Sequence, residues 1–278
     1  MTRESTPLRA TDIEQAFGEV AVLSGVSMTA DRGEVVAVVG PNGSGKSTLL
    51  RILAGVRPAD HGTVTVPPGA GGARRLGYLP QRPAFRAGFT ARDTLQFYAQ
   101  LLDGVDGDDV ARTLARVGLA DVADRDVGSL SGGMTRLLGL GQAVLGDPGV
   151  LILDEPGSGL DPAMVERLFA VVGDLAGDGT AVLVASHELP AVETHADTVA
   201  VLAGGGFRAV DTPEALLDDT DTDSLSAAFL RLVGTEPGNA TVASGAERAT
   251  TDTASDTPSG GGRDDAWRTR GRGGADRG

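Results

Sequence analysis

Short continuous apolar runs recur along the chain: "EVVAVVG" from Glu34, "LGYLP" from Leu76, "VLILDEP" from Val150 and "TAVLVAS" from Thr180. Runs of this length, rich in Val, Leu and Ile and bounded by Gly or Pro, predict strands buried on both faces. Helical patterns lie between several of them, such as "STLLRILAGV" after the first. The alternation predicts an α/β fold with a mostly parallel sheet. One region breaks it. From Arg82 to about Leu130, "ARDTLQFYAQLL" and "DVARTLARVGLADVADRDV" read as successive amphipathic helices with no strand between them. This predicts an α-helical subdomain over about 82–135 inserted in the α/β core. No internal repeat is visible.

Composition changes sharply after Gly234. Residues 235–278 are Thr, Ser, Gly, Asp and Arg with almost no large apolar side chain except Trp267. Such a segment buries too little surface to offset its ordering entropy, so the expectation is a body over 1–234 and a disordered tail over 235–278. The tail's "RTRGRGG" is similar to RNA-binding Arg-Gly stretches, but a single copy reads better as solvated linker.

The 278 residues carry a formal charge of −14 and no cysteine. The first figure disfavours non-specific attraction to nucleic acid, so no nucleic-acid partner is expected. The second removes disulfides, thiolate metal sites and cysteine nucleophiles. The N-terminal "MTRESTPLRATDIEQAFG" has no apolar segment suited to a signal peptide, and no later stretch approaches ~20 consecutive apolar residues. The expectation is a cytoplasmic protein that does not itself span a membrane.

Chemistry concentrates in "GPNGSGKST", which holds Lys46, the only lysine among 24 basic residues. The stretch fits G-x-x-x-x-G-K-[ST] with Gly40, Pro41, Asn42, Gly43, Ser44, Gly45, Lys46, Ser47 and Thr48, and it sits between a predicted strand and a predicted helix. Glycines let the backbone wrap a triphosphate, and the amides with the helix N-terminus form an anion site. Lys46 would reach the terminal phosphates as a compact point charge, where arginine's wide planar fork would not fit. In "VLILDEP" two adjacent carboxylates end a buried strand, which is costly unless a cation or ligand compensates. Asp154 would help Ser47 hold Mg²⁺, and Glu155 could polarise an attacking water. The alternative is a strand-end pair open to solvent.

A third run, "LSGGMTRLLGLGQAVLGDP", places Ser131, Gly132 and Gly133 at a helix entrance, a second anion site on the same chain. Here the sequence resembles the ATP-binding cassette (ABC) family, whose signature is Leu-Ser-Gly-Gly-Gln followed by a helix and then the Asp-Glu pair. Met134 replaces the signature glutamine. The resemblance covers Leu8 to about Leu232 and implies a P-loop core with an N-terminal antiparallel β portion. It implies ATP and Mg²⁺ as cofactors, with Gln81 in "GYLPQ" sensing the metal and the attacking water and His187 in "LVASHE" contacting the γ-phosphate. It assigns "SGLD", Ser158 to Asp161, to communication between sites, with Gly159 in place of the commoner Ala, and Phe17 to stacking on adenine. From the residues alone, Gln81 also reads as a solvated loop residue, Phe17 as ordinary core and His187 as structural. His61 and His195 match no motif and are expected at the surface. "VAVLAGGGFRAVDTPEALL" resembles the family's closing hairpin and helix, with Thr212 as N-cap and Pro213 at the first helical position.

The family sandwiches each ATP between the phosphate loop of one copy and the signature of another. The resemblance therefore implies a homodimer, or pairing with a second cassette chain, held against integral membrane permease subunits at the inner face of the cell membrane. The activity implied is ATP hydrolysis coupled to transport. Met-ending signatures resemble export-type or multisubunit systems, and "SHELPAVETHAD" resembles ATPases of copper-linked nitrous oxide reductase maturation. The alternatives are a soluble ABC ATPase of translation or repair, and a non-hydrolysing cassette partner. The acid-rich, lysine-poor composition resembles that of proteomes adapted to high internal salt. The unfolding midpoint is accordingly expected to rise with salt concentration, and equal stability in dilute and molar salt would contradict that expectation.

Overall fold

The computed structural model describes residues 8–66 and 74–234; the tail expectation for 235–278 lies outside the described residues. The described residues begin with two long strands, β1 (Leu8–Phe17) and β2 (Val20–Ala30). They pair antiparallel, and β1 also pairs antiparallel with β4 (His61–Thr65) to give a three-stranded sheet ordered β2-β1-β4. β3 (Val35–Val39) and helix α1 (Lys46–Leu53) lie between β2 and β4 in sequence.

A second, six-stranded sheet forms the centre. It contains β3, β5 (Leu76–Leu79), β6 (Val150–Asp154), β7 (Ala181–Ala185), β8 (Thr198–Ala203) and β9 (Gly206–Asp211), in the order β5-β6-β7-β3-β8-β9. All neighbours are parallel except the closing β8–β9 hairpin. Every residue of β3, β6 and β7 is buried, as their continuous apolar runs predict.

Alternate residues of these strands serve two cores. Val36, Val38 and Ile152 face one side, where α1 contributes Leu49, Leu50 and Leu53 and the antiparallel sheet contributes Leu8, Ile13 and Leu23. Val35, Ala37, Leu151 and Leu153 face the other, packed by α5 (Pro162–Gly177) through Leu168, Phe169 and Val172. The described residues end with α6 (Leu189–His195), α7 (Pro213–Thr220) and α8 (Leu225–Val233). Thr212 caps α7 by accepting from the Ala215 amide, with Pro213 in the first turn, as expected.

Between β5 and β6 the chain is strand-free. It carries α2 (Ala91–Ala99), α3 (Gly107–Arg116) and α4 (Gly132–Val144), with short 3-10 turns at Ala120–Val122 and Val127–Ser129. Capping boxes at Thr90/Asp93 and Asp106/Asp109 start α2 and α3. The long helical pattern through "ARTLARVGLADV" breaks because Gly118 adopts φ 71°. That left-handed turn ends α3, and the Gly118 carbonyl accepts from Arg167 of α5. α4 runs well past residue 135, so the helical stretch joins the core through α4 without a break.

β5 lies so close to α4 that a Cβ on Gly77 would stand 1.9 Å from the Ala143 carbonyl oxygen. Gly77→Ala is therefore expected to cost about 1–3 kcal/mol in denaturant titration, through forced backbone displacement. Gly107→Ala, with nothing within 4 Å, should stay within about 0.5 kcal/mol of the parent.

Candidate functional site

Four parallel strands deliver the predicted chemistry to one edge of the sheet: the glycine loop follows β3, Gln81 follows β5, Asp154 ends β6 and His187 follows β7. The loop closes on left-handed glycines, Gly43 at φ 82° and Gly45 at φ 101°, the latter forming the N-cap of α1. A Cβ on Gly40 would stand 2.2 Å from the Leu202 carbonyl oxygen and 2.6 Å from Ser44 Oγ. The backbone must pass too close to β8 for any larger residue.

Lys46 is 5% exposed, and its ammonium donates to the carbonyls of Gly40 (2.7 Å) and Pro41 (3.1 Å). An ammonium has three protons, so one donor remains for a ligand. Burial pushes the Lys46 pKa down, opposed by the nearby carboxylates of Glu155 and Asp154. The buried Ser44 Oγ has no hydrogen-bond partner, which leaves a polar atom of the loop awaiting one.

Asp154 is fully buried and accepts from Ser47 Oγ at 2.8 Å through Oδ1. Its Oδ2 has no hydrogen bond, and the Arg51 guanidinium is 4.0 Å away. Burial pushes the Asp154 pKa up; the Ser47 hydroxyl and Arg51 pull against it. An unsatisfied buried carboxylate oxygen beside a hydroxyl is a hard, oxygen-only donor set, which suits Mg²⁺. Among the described residues no three His, Asp or Glu side chains converge as a metal cage. Mg²⁺ commonly needs only one or two carboxylates when phosphates supply further oxygens.

Glu155 has φ 50°, a left-handed conformation rare for a side chain of this size, and its amide donates to the Ala185 carbonyl at 2.9 Å. Its Oε2 meets Gln81 Nε2 at 3.3 Å and His187 Nδ1 at 3.1 Å. A cavity of about 360 Å³ is lined by Phe17, Val22, residues 42–48, Gln81 and Glu155. Asp154 and Glu155 thus do not form a solvent-exposed pair: the side chains are 0% and 12% exposed.

Phe17 is not core either. It is 43% exposed, with the Arg57 guanidinium 4.3 Å from its ring centroid. His187 is half exposed. Ser131 caps α4 by accepting from the Met134 amide at 3.2 Å, leaving Gly132 and Gly133 in the first turn. Ser131, Gly132 and Gly133 are not among the residues lining the cavity, so one chain does not bring its signature to its own phosphate loop. The expectation for His195 needs correction. It is partly buried, stacked on Phe169 at 5.6 Å and bonded to Glu166 at 3.1 Å, because the C-terminus of α6 packs onto α5.

Two residues of the site escaped sequence reasoning. Glu188 directly follows His187; its Oε2 is buried without a partner, against Gly157, and burial raises its pKa. Arg136 of α4 donates to the carbonyls of Gln81 and Ser158. A basic residue one turn inside the signature helix was the available signal for the second.

The family model described as ABC transporter matches residues 23–158. The chain is 34% identical over 223 residues to Nod factor export ATP-binding protein I of Burkholderia lata, covering 76% of this chain and 73% of the relative. It is 40% identical over 201 residues to the zinc import ATP-binding protein ZnuC of Ruegeria pomeroyi, covering 71% and 75%. It is 30% identical over 227 residues to the linearmycin resistance ATP-binding protein LnrL of Bacillus subtilis, covering 78% and 73%. A solved ATP-binding subunit of an ABC transporter superposes with a TM-score of 0.72 at 25% identity, covering 82% of this chain and 99% of that one.

The buried, half-satisfied carboxylate generates a pH-dependent prediction. Because the folded-state pKa of Asp154 lies above its unfolded value, its contribution to stability is fully present below the ordinary carboxylate pKa. That contribution is lost as pH rises through the raised value. Asp154→Asn should therefore raise the melting temperature of nucleotide-free protein at neutral pH by roughly 2–4 °C, the shift about 1 kcal/mol makes in a domain of this size. The gap should close as pH falls through the carboxylate range in a thermal-melt series.

Proposed function

Because the chain belongs to the ABC transporter family, as an ATP-binding subunit, we propose that its ATP lies along the phosphate loop with the adenine on Phe17 and the phosphates over Lys46. The observation that carries this reading is the single cavity joining Phe17, residues 42–48, Gln81 and Glu155. Loop amides and the α1 N-terminus would hold the β- and γ-phosphates. The free Lys46 proton and the unpartnered Ser44 hydroxyl would donate to them. Ser47 and Asp154 would hold Mg²⁺, which would neutralise phosphate charge when bound.

Glu155 is positioned to accept a proton from the attacking water. The water oxygen bonds to the γ-phosphorus as the bond to the β-phosphate oxygen breaks, giving ADP and phosphate. Gln81 and His187 fix the orientation of the Glu155 carboxylate through Oε2, and His187 is exposed enough to reach the γ-phosphate. The signature residues Ser131, Gly132 and Gly133 would serve the ATP of a second cassette in a head-to-tail dimer. This is the reading that gives an outward-facing anion site a ligand.

ATP turnover would drive substrate through separate membrane permease subunits, placing the chain at the cytoplasmic face of the membrane. None of its described helices is long and apolar enough to cross a membrane. The Nod factor relative favours an export-type system; the zinc-import relative carries the same kind of subunit in the opposite direction. The copper-maturation reading rests on one short stretch and on none of the relatives named above. A translation or repair ATPase has no support among those relatives, and Lys46, Asp154, Glu155 and His187 together weigh against a non-hydrolysing partner.

The test is ATP hydrolysis by the full chain with Mg²⁺ in high-salt buffer, with size-exclusion chromatography in ATP. Glu155→Gln should lower turnover roughly 10²–10⁴-fold, the usual weight of a general base, and trap an ATP-bound dimer. Lys46→Ala should abolish ATP binding. Wild-type protein that binds ATP but neither turns over nor dimerises would overturn the self-sufficient homodimer and favour a requirement for the membrane subunits or for a second cassette chain.

A further inference from the structure

The two loops on either side of Glu155 that carry Gln81 and Ser158 are both tied to α4. Arg136 lies on the second turn of α4, five residues beyond Ser131, and its guanidinium fork reaches two backbone carbonyls on two other segments. One arm donates to the Gln81 carbonyl beyond β5, the other to the Ser158 carbonyl at 3.2 Å in the turn beyond β6. A single planar side chain thus ties the signature helix to the loop whose carboxamide meets Glu155 and to the turn that leads into α5. Lysine, with its compact charge, cannot span two carbonyls in fixed geometry as a guanidinium can.

We propose that Arg136 is a positioning residue for hydrolysis: it holds the Gln81 loop against α4, so that displacement of the signature helix moves the Gln81 carboxamide relative to Glu155. The inference rests on the role given to Gln81 and Glu155 above. It adds a mechanical link between the helix facing one nucleotide and the groups acting on the other. Three features support it. Arg136 bonds backbone and not carboxylate, so its position follows the loops themselves. It is partly buried, which restricts its rotamers. Burial lowers its pKa, with Glu155 and Glu188 pulling the other way; a guanidinium stays charged in proteins regardless, so the fork donates through both arms.

A residue acting through Gln81 makes a different prediction from one that merely supports the fold. In the full chain with MgATP, Arg136→Met should lower kcat at least tenfold while KM stays within twofold, because Arg136 does not itself line the nucleotide cavity and meets it only through the Gln81 backbone. Gln81→Ala should lower kcat by a comparable factor, and the double variant should lose little more than either single one. Arg136→Lys, which can serve one carbonyl, should fall between wild type and Arg136→Met; it also guards against the methionine variant failing to fold. Multiplicative losses in the double variant, or a rise in KM as large as the fall in kcat, would overturn the link between Arg136 and Gln81. Full turnover in Arg136→Met would do the same. A Glu155→Gln variant that retains full turnover would instead overturn the parent reading and this inference with it.

Discussion

Burial of β3, β6 and β7 on both faces is the constraint on which the rest depends. Three adjacent parallel strands, every residue of them buried, must end at the same edge of the sheet. Whatever follows them in sequence is then brought together in space, although the phosphate loop, the Asp-Glu pair and His187 are far apart along the chain. The crevice beyond the carboxyl ends of parallel strands is where open α/β sheets place their ligands. Here it follows from which residues are apolar.

Within that edge, the energetic tension is electrostatic. Lys46 and Asp154 are both buried, both have their pKa pushed toward the neutral form by burial, and each has unused hydrogen-bonding capacity. Glu155 adds a left-handed backbone, of the kind that costs on the order of 1–3 kcal/mol and persists only where surroundings over-determine it. The hydrogen bond its backbone N–H donates to the Ala185 carbonyl and its contacts with Gln81 and His187 supply that determination. The resting protein holds charge in positions that a triphosphate and a divalent cation would relieve.

Much of this was legible in the sequence because the relevant signals are local. Apolar runs marked the buried strands, and Gly40, Gly45, Lys46 and Ser47 marked the loop between one of them and its helix. Thr212 and Pro213 marked the start of α7. What stayed hidden depends on partners that composition does not label. Arg136 binds two carbonyls, and any residue could have supplied them. Nothing in the sequence around Glu188 signals that its carboxylate caps nothing and turns inward against Gly157. The length of α3 was misread because Gly118 ends it by adopting a positive φ, which the apolar spacing through Val117 and Leu119 does not reveal.

Gly40 and Lys46 stand in the same loop for unrelated reasons. A side chain at Gly40 would collide with the Leu202 carbonyl of β8, a contact that exists whether or not a nucleotide ever arrives. The lysine, by contrast, sits 5% exposed at a cost in solvation that its bonds to the Gly40 and Pro41 carbonyls and the nearby carboxylates offset only in part, with one donor left over. A descendant of this chain that abandoned nucleotide chemistry would still be obliged by its architecture to keep the glycine, whereas the lysine's remaining donor would have lost its use. In telling working motors from retired ones, the amine is therefore the informative letter of the loop, and the first glycine is a mark of ancestry alone.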